Sequence, residues 1–410
     1  MTPSFAFAPD RGNTLYRSLN GQKVGWTAIF LLVGALIFAA SPTYAGPEKL
    51  KINTLNGLDI PAIKAGTLYS FIVLGHVYGR SASQHNFPHQ WPAKSLLANI
   101  DLIRSLKPDF IVFLGDIVWR MEPKWIAALQ QKIMNPIGVP VVNSLGNHDI
   151  TRETGNNTVV LDTGAYTKRF GNTYFRFKVG RDLHVVLDTQ SDNLSIKGKQ
   201  LDFLMSAIEE AQNDESITNV FFWSHHLVWT QLDELYRVLK GKPGKWNFVD
   251  EIYPRLLSLA KQKKVYWGSG NFGQPPNPSL FYDERTEENI IVFATGIGDT
   301  RNDLLLNVAV DGMSNVTIIP VSLTGSKTMP IAQYDTPYNQ QLLDRWLNLD
   351  WSFLVSPPRI EPPGTVEKIK IIFATRFFWH GMVAATMCWV GIILTVMIIR
   401  KTLRLRTDKP

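Results

Sequence analysis

The sequence predicts an α/β fold with helices packed outside a largely parallel or mixed sheet. Between Leu50 and about Ser322, short β-rich runs alternate with helical stretches. No internal repeat or low-complexity tract interrupts them, so one domain is the simplest account. Four of the apolar runs end in polar clusters, and in open α/β sheets functional residues gather where strands end. A hydrophobic content of 45% over 410 residues excludes a mainly disordered chain.

Strands are expected at Tyr69–Leu74, Phe110–Leu114, Val139–Ser144, Tyr174–Val179, His184–Leu187, Val220–Trp223, Lys264–Trp267, Ile290–Ala294 and Val316–Val321. Helices are expected at Pro92–Ser105, Lys124–Asn135, Gly198–Asn213, Leu232–Leu239 and Ile252–Gln262. After Thr324 the chain turns Pro- and Gln-rich, with SPPRIEPPG at Ser356–Gly364, and residues 323–370 read as an extended stalk.

Two apolar segments flank this organisation. Val24–Ala40 follows Lys23 and precedes SPTYAG, so residues 1–45 read as a secretion signal, either cleaved before Gly46 or kept as an anchor. Phe377–Ile399 carries no Lys, Arg, Asp or Glu over a length that crosses a ~30 Å hydrocarbon core, so residues 377–399 are expected to form a transmembrane helix. The basic tail, residues 400–410, then sets the C-terminus in the cytoplasm and the domain at 50–322 outside it, on the periplasmic face of a bacterial inner membrane. The sole cysteine, Cys388, lies inside the apolar segment, so the exported domain has no disulfide. Several of the basic residues behind the net charge of +7 crowd the two ends, which leaves the domain nearly balanced and argues against a nucleic-acid partner.

The four polar clusters are Gly75-His76-Val77-Tyr78-Gly79, Gly115-Asp116, Gly146-Asn147-His148-Asp149 and Ser224-His225-His226. A carboxylate, an amide and imidazoles supply O and N ligands of the borderline type that binds Zn, Mn or Fe. His184, inside HVVLD, reads instead as a structural core histidine.

These clusters resemble the motifs of the calcineurin-like metallophosphoesterases, which run DxH, GD, GNH(D/E), a strand-end His, and GHxH. PDFIVFLGD (Pro108–Asp116) and SLGNHD (Ser144–Asp149) match closely. RFGNTYFRF (Arg169–Phe177), LHVVLDTQ (Leu183–Gln190), KGKQLDFL (Lys197–Leu204) and FFWSHHLVW (Phe221–Trp229) follow in order, so the likeness covers about Tyr69–Val321. The resemblance implies a four-layer αββα sandwich of two mixed sheets and a metal-dependent phosphoester hydrolase. It also implies Asp116 as the metal-bridging carboxylate, Asn147 and His225 as ligands, and His148 as the acid toward the leaving group. Asp149 and His226 would support them from behind.

The chain departs from that pattern at both ends. His76-Val77-Tyr78 replaces DxH, and VYWGSGNFG (Val265–Gly273) stands where GHxH belongs. Three of the four ligands of one family metal survive, with Asn271 or, second to it, Ser269 as the fourth; the partner metal keeps little beyond Asp116. Two divalent ions against a single carboxylate would leave an unbalanced charge in a partly dry site. The expectation is therefore about one divalent ion (Mn, Zn or Fe) per chain, with His76 and Tyr78 steadying phosphoryl oxygens by hydrogen bonds. Asp299 in GIGDTRND is a candidate replacement carboxylate. The expected partner is a phosphoester substrate, envelope or lipid-linked on the strength of the membrane anchor. The alternative is a catalytically silent envelope module that uses the old cleft for binding or scaffolding. Asp116 and GNHD favour the enzyme, and the missing GHxH favours the module.

Overall fold

Two mixed sheets pack face to face, each with helices on its outer side. In this computed structural model the described residues are 49–50, 53–79, 92–155, 158–192, 194–236, 246–273 and 279–347, with single positions 239, 386, 387 and 389. One sheet runs Val316–Ser322, Leu304–Val310, Tyr69–Leu74, Phe110–Phe113, Val141–Asn143; its last three strands are parallel, and the first two pair antiparallel. The other runs Leu280–Arg285, Ile290–Thr295, Lys264–Ser269, Asn219–Ser224, Asp182–Val186, Phe175–Val179, parallel in the middle and antiparallel at both edges.

The two-residue period of a strand sorts its side chains between layers. Phe71, Val73, Phe110 and Val112 meet Phe221, Trp223 and Phe293 in the core between the sheets. The intervening Ile72, Leu74, Ile111 and Phe113 face outward against Leu96, Ile103, Leu129 and Ile133. On the opposite side Val220 and Phe222 meet Leu204, Ala207, Ile208 and Ala211, the buried stripe of the helix Gly198–Asn213. Strands covered on both faces must be apolar throughout, and Tyr69–Leu74 and Ile290–Thr295 are buried at every position. This is the expected four-layer arrangement.

Several elements differ from expectation. The helix expected over Pro92–Ser105 is broken into Lys94–Leu97 and Ile100–Ser105. Asn99 lies at the break, its Nδ2 donating to the Ser95 and Leu323 carbonyls at 2.7 Å each, a local bond that competes with helix. The helix Pro123–Leu129 continues through a π-turn, Gln130–Met134; of the helix expected over Leu232–Leu239, Glu234–Tyr236 forms a 3-10 turn and Leu239 is helical, the positions between lying outside the described residues. The strands Leu280–Arg285 and Leu304–Val310 and the helices Gly164–Phe170 and Thr336–Leu347 were not anticipated. The expected stalk therefore cannot begin at 323. Tyr334 is buried in the core between the sheets and its carbonyl accepts the Tyr282 N–H (2.9 Å), so this segment covers an otherwise open sheet edge. Among the described residues no helix is long and apolar enough to cross a membrane. The segments at 24–40 and 400–410, and 377–399 apart from Thr386, Met387 and Trp389, lie outside the described residues.

His184 occupies the middle of the inter-sheet core. Its ring stacks between Phe177 (4.9 Å) and Phe221 (4.8 Å), and Nδ1 accepts the Trp223 Nε1–H bond at 3.2 Å. Accepting at Nδ1 requires the neutral ring, and burial pushes its pKa down to about 3. An unfolded imidazole titrates near about 6.5, so the unfolded chain takes up a proton that the folded one refuses. Stability should accordingly fall as pH drops from about 6.5 toward about 3. His184→Phe is expected to flatten that acid limb in denaturant unfolding measured across pH, by close to one proton, while lowering stability near neutrality because Trp223 Nε1 loses its acceptor. An unchanged slope would contradict this account.

Candidate metal centre

The ends of Tyr69–Leu74, Phe110–Phe113, Val141–Asn143 and Asn219–Ser224 converge on Asp116. His76 Nε2 lies 3.1 Å from Asp116 Oδ2, and His225 Nε2 lies 3.5 Å from Asp116 Oδ1. One ligand-type atom from each of these three buried residues falls within 4.8 Å of the others. Asn147 Oδ1 joins them at 3.1 Å from His225 Nε2.

Close backbone approach makes this convergence possible. A Cβ on Gly115, at φ 86°, would meet His225 Nδ1 at 2.4 Å, and one on Gly146 would meet the Asp116 nitrogen at 2.1 Å. Glycine is required at both. His76 and Asp116 themselves take left-handed φ values of 54° and 56°, sparsely populated for residues with a Cβ. Such strain persists where the surroundings over-determine the backbone. The His76 N–H donates to the Gly115 carbonyl (3.2 Å), and the Asp116 N–H to Asp149 Oδ2 (2.9 Å).

Asp149 holds the two loops together from behind. Its carboxylate accepts the N–H bonds of Gly146 (2.9 Å), Asp116 (2.9 Å), Ile117 (2.8 Å) and Val118 (3.3 Å). Burial and the nearby Asp116 charge push the Asp149 carboxyl up to about 7, against the pull of those N–H groups. Burial would raise Asp116 too, but the imidazoles of His225, His76 and His148 outweigh it and hold its carboxyl well below the usual carboxylate range.

The donors fit a cation. His225 Nδ1 lies 2.7 Å from the Leu114 carbonyl, which only accepts; Nδ1 therefore carries the proton, and Nε2, facing the Asp116 and Asn147 oxygens, is the atom left to ligate a metal. Among the described residues neither buried ring nitrogen of His76 has a hydrogen-bond partner, although Nε2 lies 3.1 Å from Asp116 Oδ2. Imidazole nitrogens, a carboxylate and an amide oxygen that converge in a buried site form a donor set suited to a divalent ion. His226 supports His225 in this arrangement. Its N–H donates to Thr189 Oγ1 (3.0 Å), and its ring meets the His225 ring edge-on at 4.8 Å.

His148 stands one step outward. Its N–H donates to Asp116 Oδ1 (2.9 Å), and its Nδ1 lies 3.1 Å from the Trp119 carbonyl. Its ring stacks on the Trp119 indole at 4.4 Å and packs on Tyr78 at 4.8 Å. A cavity of about 520 Å³ opens beside it, lined by Trp119, Arg120, Met121, Asn147, His148 and Ile150 among others. Tyr78 is buried with its ring 5.5 Å from that of His76, between the His76 and His148 rings.

Other expected residues fall differently. Asn271 is held beside His225 by its backbone N–H on the His225 carbonyl (2.7 Å), and its side chain makes no hydrogen bond among the described residues. Ser269 is turned away, its Oγ bonded to Ser224 Oγ (2.9 Å) and Trp229 Nε1 (3.0 Å). Asp299 Oδ1 accepts the Ser95 N–H (3.1 Å) instead of joining the three-residue group. The sequence reading overlooked Trp119 and the Leu114 carbonyl. One acts through its backbone and ring stacking and the other through its backbone alone, and neither leaves a motif.

Residues 85–256 match the family model described as calcineurin-like phosphoesterase. The match contains Asp116, Asn147, His148, Asp149, His225 and His226; His76 and Tyr78 precede it, and Asn271 follows. No curated protein matches the chain. Among solved structures it is similar to a purple acid phosphatase from yellow lupin (Lupinus luteus) seeds, at 13% identity over 66% of this chain, with a TM-score of 0.44. The chain spans 54% of that structure's length. It is also similar to a 5'-nucleotidase from Candida albicans (9% identity, 71% of this chain and 59% of that one, TM-score 0.33). A third is the phosphopantetheinyl hydrolase from Mycobacterium tuberculosis (10% identity, 57% and 90%, TM-score 0.27).

Because Asp149 satisfies four backbone donors at once, Asp149→Ala should destabilise the fold by roughly 3–5 kcal/mol in denaturant unfolding. A loss below about 1 kcal/mol would show that the loops hold without it.

Proposed function

We propose that this protein is a metal-dependent phosphoester hydrolase whose reduced site holds about one divalent ion per chain. The observation that carries the reading is the buried His76–Asp116–His225 group, with ligand atoms within 4.8 Å of one another beside His148 and an open cavity. Asp116, His225, His76 and Asn147 would hold the ion, with Asn271 as a further ligand. This reassigns His76, whose unpartnered nitrogens suit coordination better than the hydrogen-bonding role expected from the sequence. A divalent ion bound there supplies Lewis-acid stabilisation of the phosphoryl charge.

The chain's own residues do the rest. The cavity receives the alcohol portion of the ester next to His148. With Nδ1 directed at the Trp119 carbonyl, Nε2 is the atom that delivers a proton to the departing oxygen. Tyr78, packed between the His76 and His148 rings, helps exclude water and steadies the phosphoryl group. We read the domain as exported and anchored by residues 377–399, acting on envelope or lipid-linked phosphoesters; the uncharged segment and its basic tail support this.

Metal analysis of the full chain should find about one ion per chain. Asp116→Ala should lose it, and His76→Ala should weaken its affinity by at least about tenfold. His148→Ala should keep the metal yet slow esters of poor leaving groups far more than activated aryl esters, by up to about 10²–10⁴. Two ions per chain would refute the single-ion site. A chain with neither metal nor turnover would be the silent binding module, which the lack of an imidazole in VYWGSGNFG (Val265–Gly273) favours.

A reporter enzyme fused to the C-terminus should be active in the cytoplasm while protease added to spheroplasts digests the domain. A protected domain would overturn the topology.

A further inference from the structure

A carboxylate on one ring nitrogen is the usual means of orienting a histidine that must act in one tautomer, and His148 Nδ1 faces a backbone carbonyl. Three contacts hold the ring. Nδ1 faces the Trp119 carbonyl at 3.1 Å, the Trp119 indole covers one side of the ring at 4.4 Å and an interplanar angle of 26°, and the Tyr78 ring lies at 4.8 Å. The Trp119 and Tyr78 rings are themselves 5.5 Å apart, so the three rings form one packed unit. The Trp119 indole also lines the cavity beside His148, which puts the clamp next to the space where a substrate would sit.

We propose that Trp119 is the positioning residue of this site. Its carbonyl fixes His148 in the Nδ1–H tautomer, and its indole holds the ring so that Nε2 points at the leaving oxygen. The carbonyl is neutral and only accepts, so it selects a tautomer without pairing a charge. A backbone carbonyl alone leaves the imidazole free to swing about its side-chain torsions; the stacked indole removes that freedom. In this role Trp119 acts through His148 and takes no part in the proton transfer itself. The catalytic part of this inference rests on the hydrolase reading above, whereas the positioning of the ring does not.

The test uses the full chain labelled with 15N-histidine, with His148 assigned by comparison with His148→Ala. Long-range 1H–15N spectra should show His148 in a single Nδ1–H tautomer. Trp119→Ala, which keeps the carbonyl but removes the indole, should convert it to a mixture of tautomers, and Trp119→Phe, which keeps a stacking ring, should restore most of the single form. With metal bound, Trp119→Ala should lower kcat on alkyl phosphoesters by between about tenfold and about a hundredfold, and by a clearly smaller factor on activated aryl esters. In a His148→Ala background the same substitution should have no further effect.

A His148 that keeps one tautomer in Trp119→Ala overturns the inference, and so does a loss that persists without His148. If the wild type turns over no phosphoester, the hydrolase reading fails, and the tautomer measurement still decides the positioning role. Thermal melts of both variants separate these outcomes from simple misfolding.

Discussion

A single buried carboxylate, that of Asp149, ties together the two loops on which the site depends. It receives N–H groups from Gly146 in its own turn and from Asp116, Ile117 and Val118 in the loop after another strand. Asp116, Asn147 and His148 all ride on these loops, so their mutual geometry is fixed by hydrogen bonds that none of them makes to a substrate. The arrangement places one buried anion behind another. It is tolerated because backbone donors surround Asp149 and imidazoles surround Asp116.

The second sheet brings in the remaining imidazole through contacts that are mostly backbone. His225 reaches across to the Leu114 carbonyl, and the Gly270 and Asn271 N–H groups both return to the His225 carbonyl at 2.9 and 2.7 Å. Thr189 holds His226. The loop that carries Thr189 is held in turn by Gln200, whose amide pairs with both the N–H and the carbonyl of Asp188 (2.7 and 2.9 Å). Segments of the sequence that looked like mere landmarks, LHVVLDTQ and KGKQLDFL, therefore act as the brace under His225.

Reading the sequence recovered the elements whose signals are local. Runs such as YSFIVL and IIVFAT announce themselves as strands because both faces are covered, and the core reading of His184 follows from its apolar neighbours. Leu280–Arg285 was missed because an edge strand carries charges, and its sequence LFYDER gives no continuous apolar run. Thr336–Leu347 was missed because its polar face and the prolines around it resemble a linker, although Tyr334 and Leu342 are buried. The broken helix near Asn99 depends on the Leu323 carbonyl, far away in the chain.

The sequence by itself determined the inventory: an α/β domain with four polar clusters at strand ends, a single GD carboxylate, GNHD, and His225-His226. Residue type and order carry that information because each motif is read within a few positions. Only the tertiary structure decided which of these atoms meet. It brought His76 to Asp116 and His225, sent Asp299 to Ser95 and Ser269 to Trp229, and set Trp119 against His148. Those outcomes turn on left-handed backbone at His76 and Asp116, on glycines that let separate loops touch, and on carbonyls that every residue possesses. Such determinants belong to the packed chain, and no single residue type encodes them.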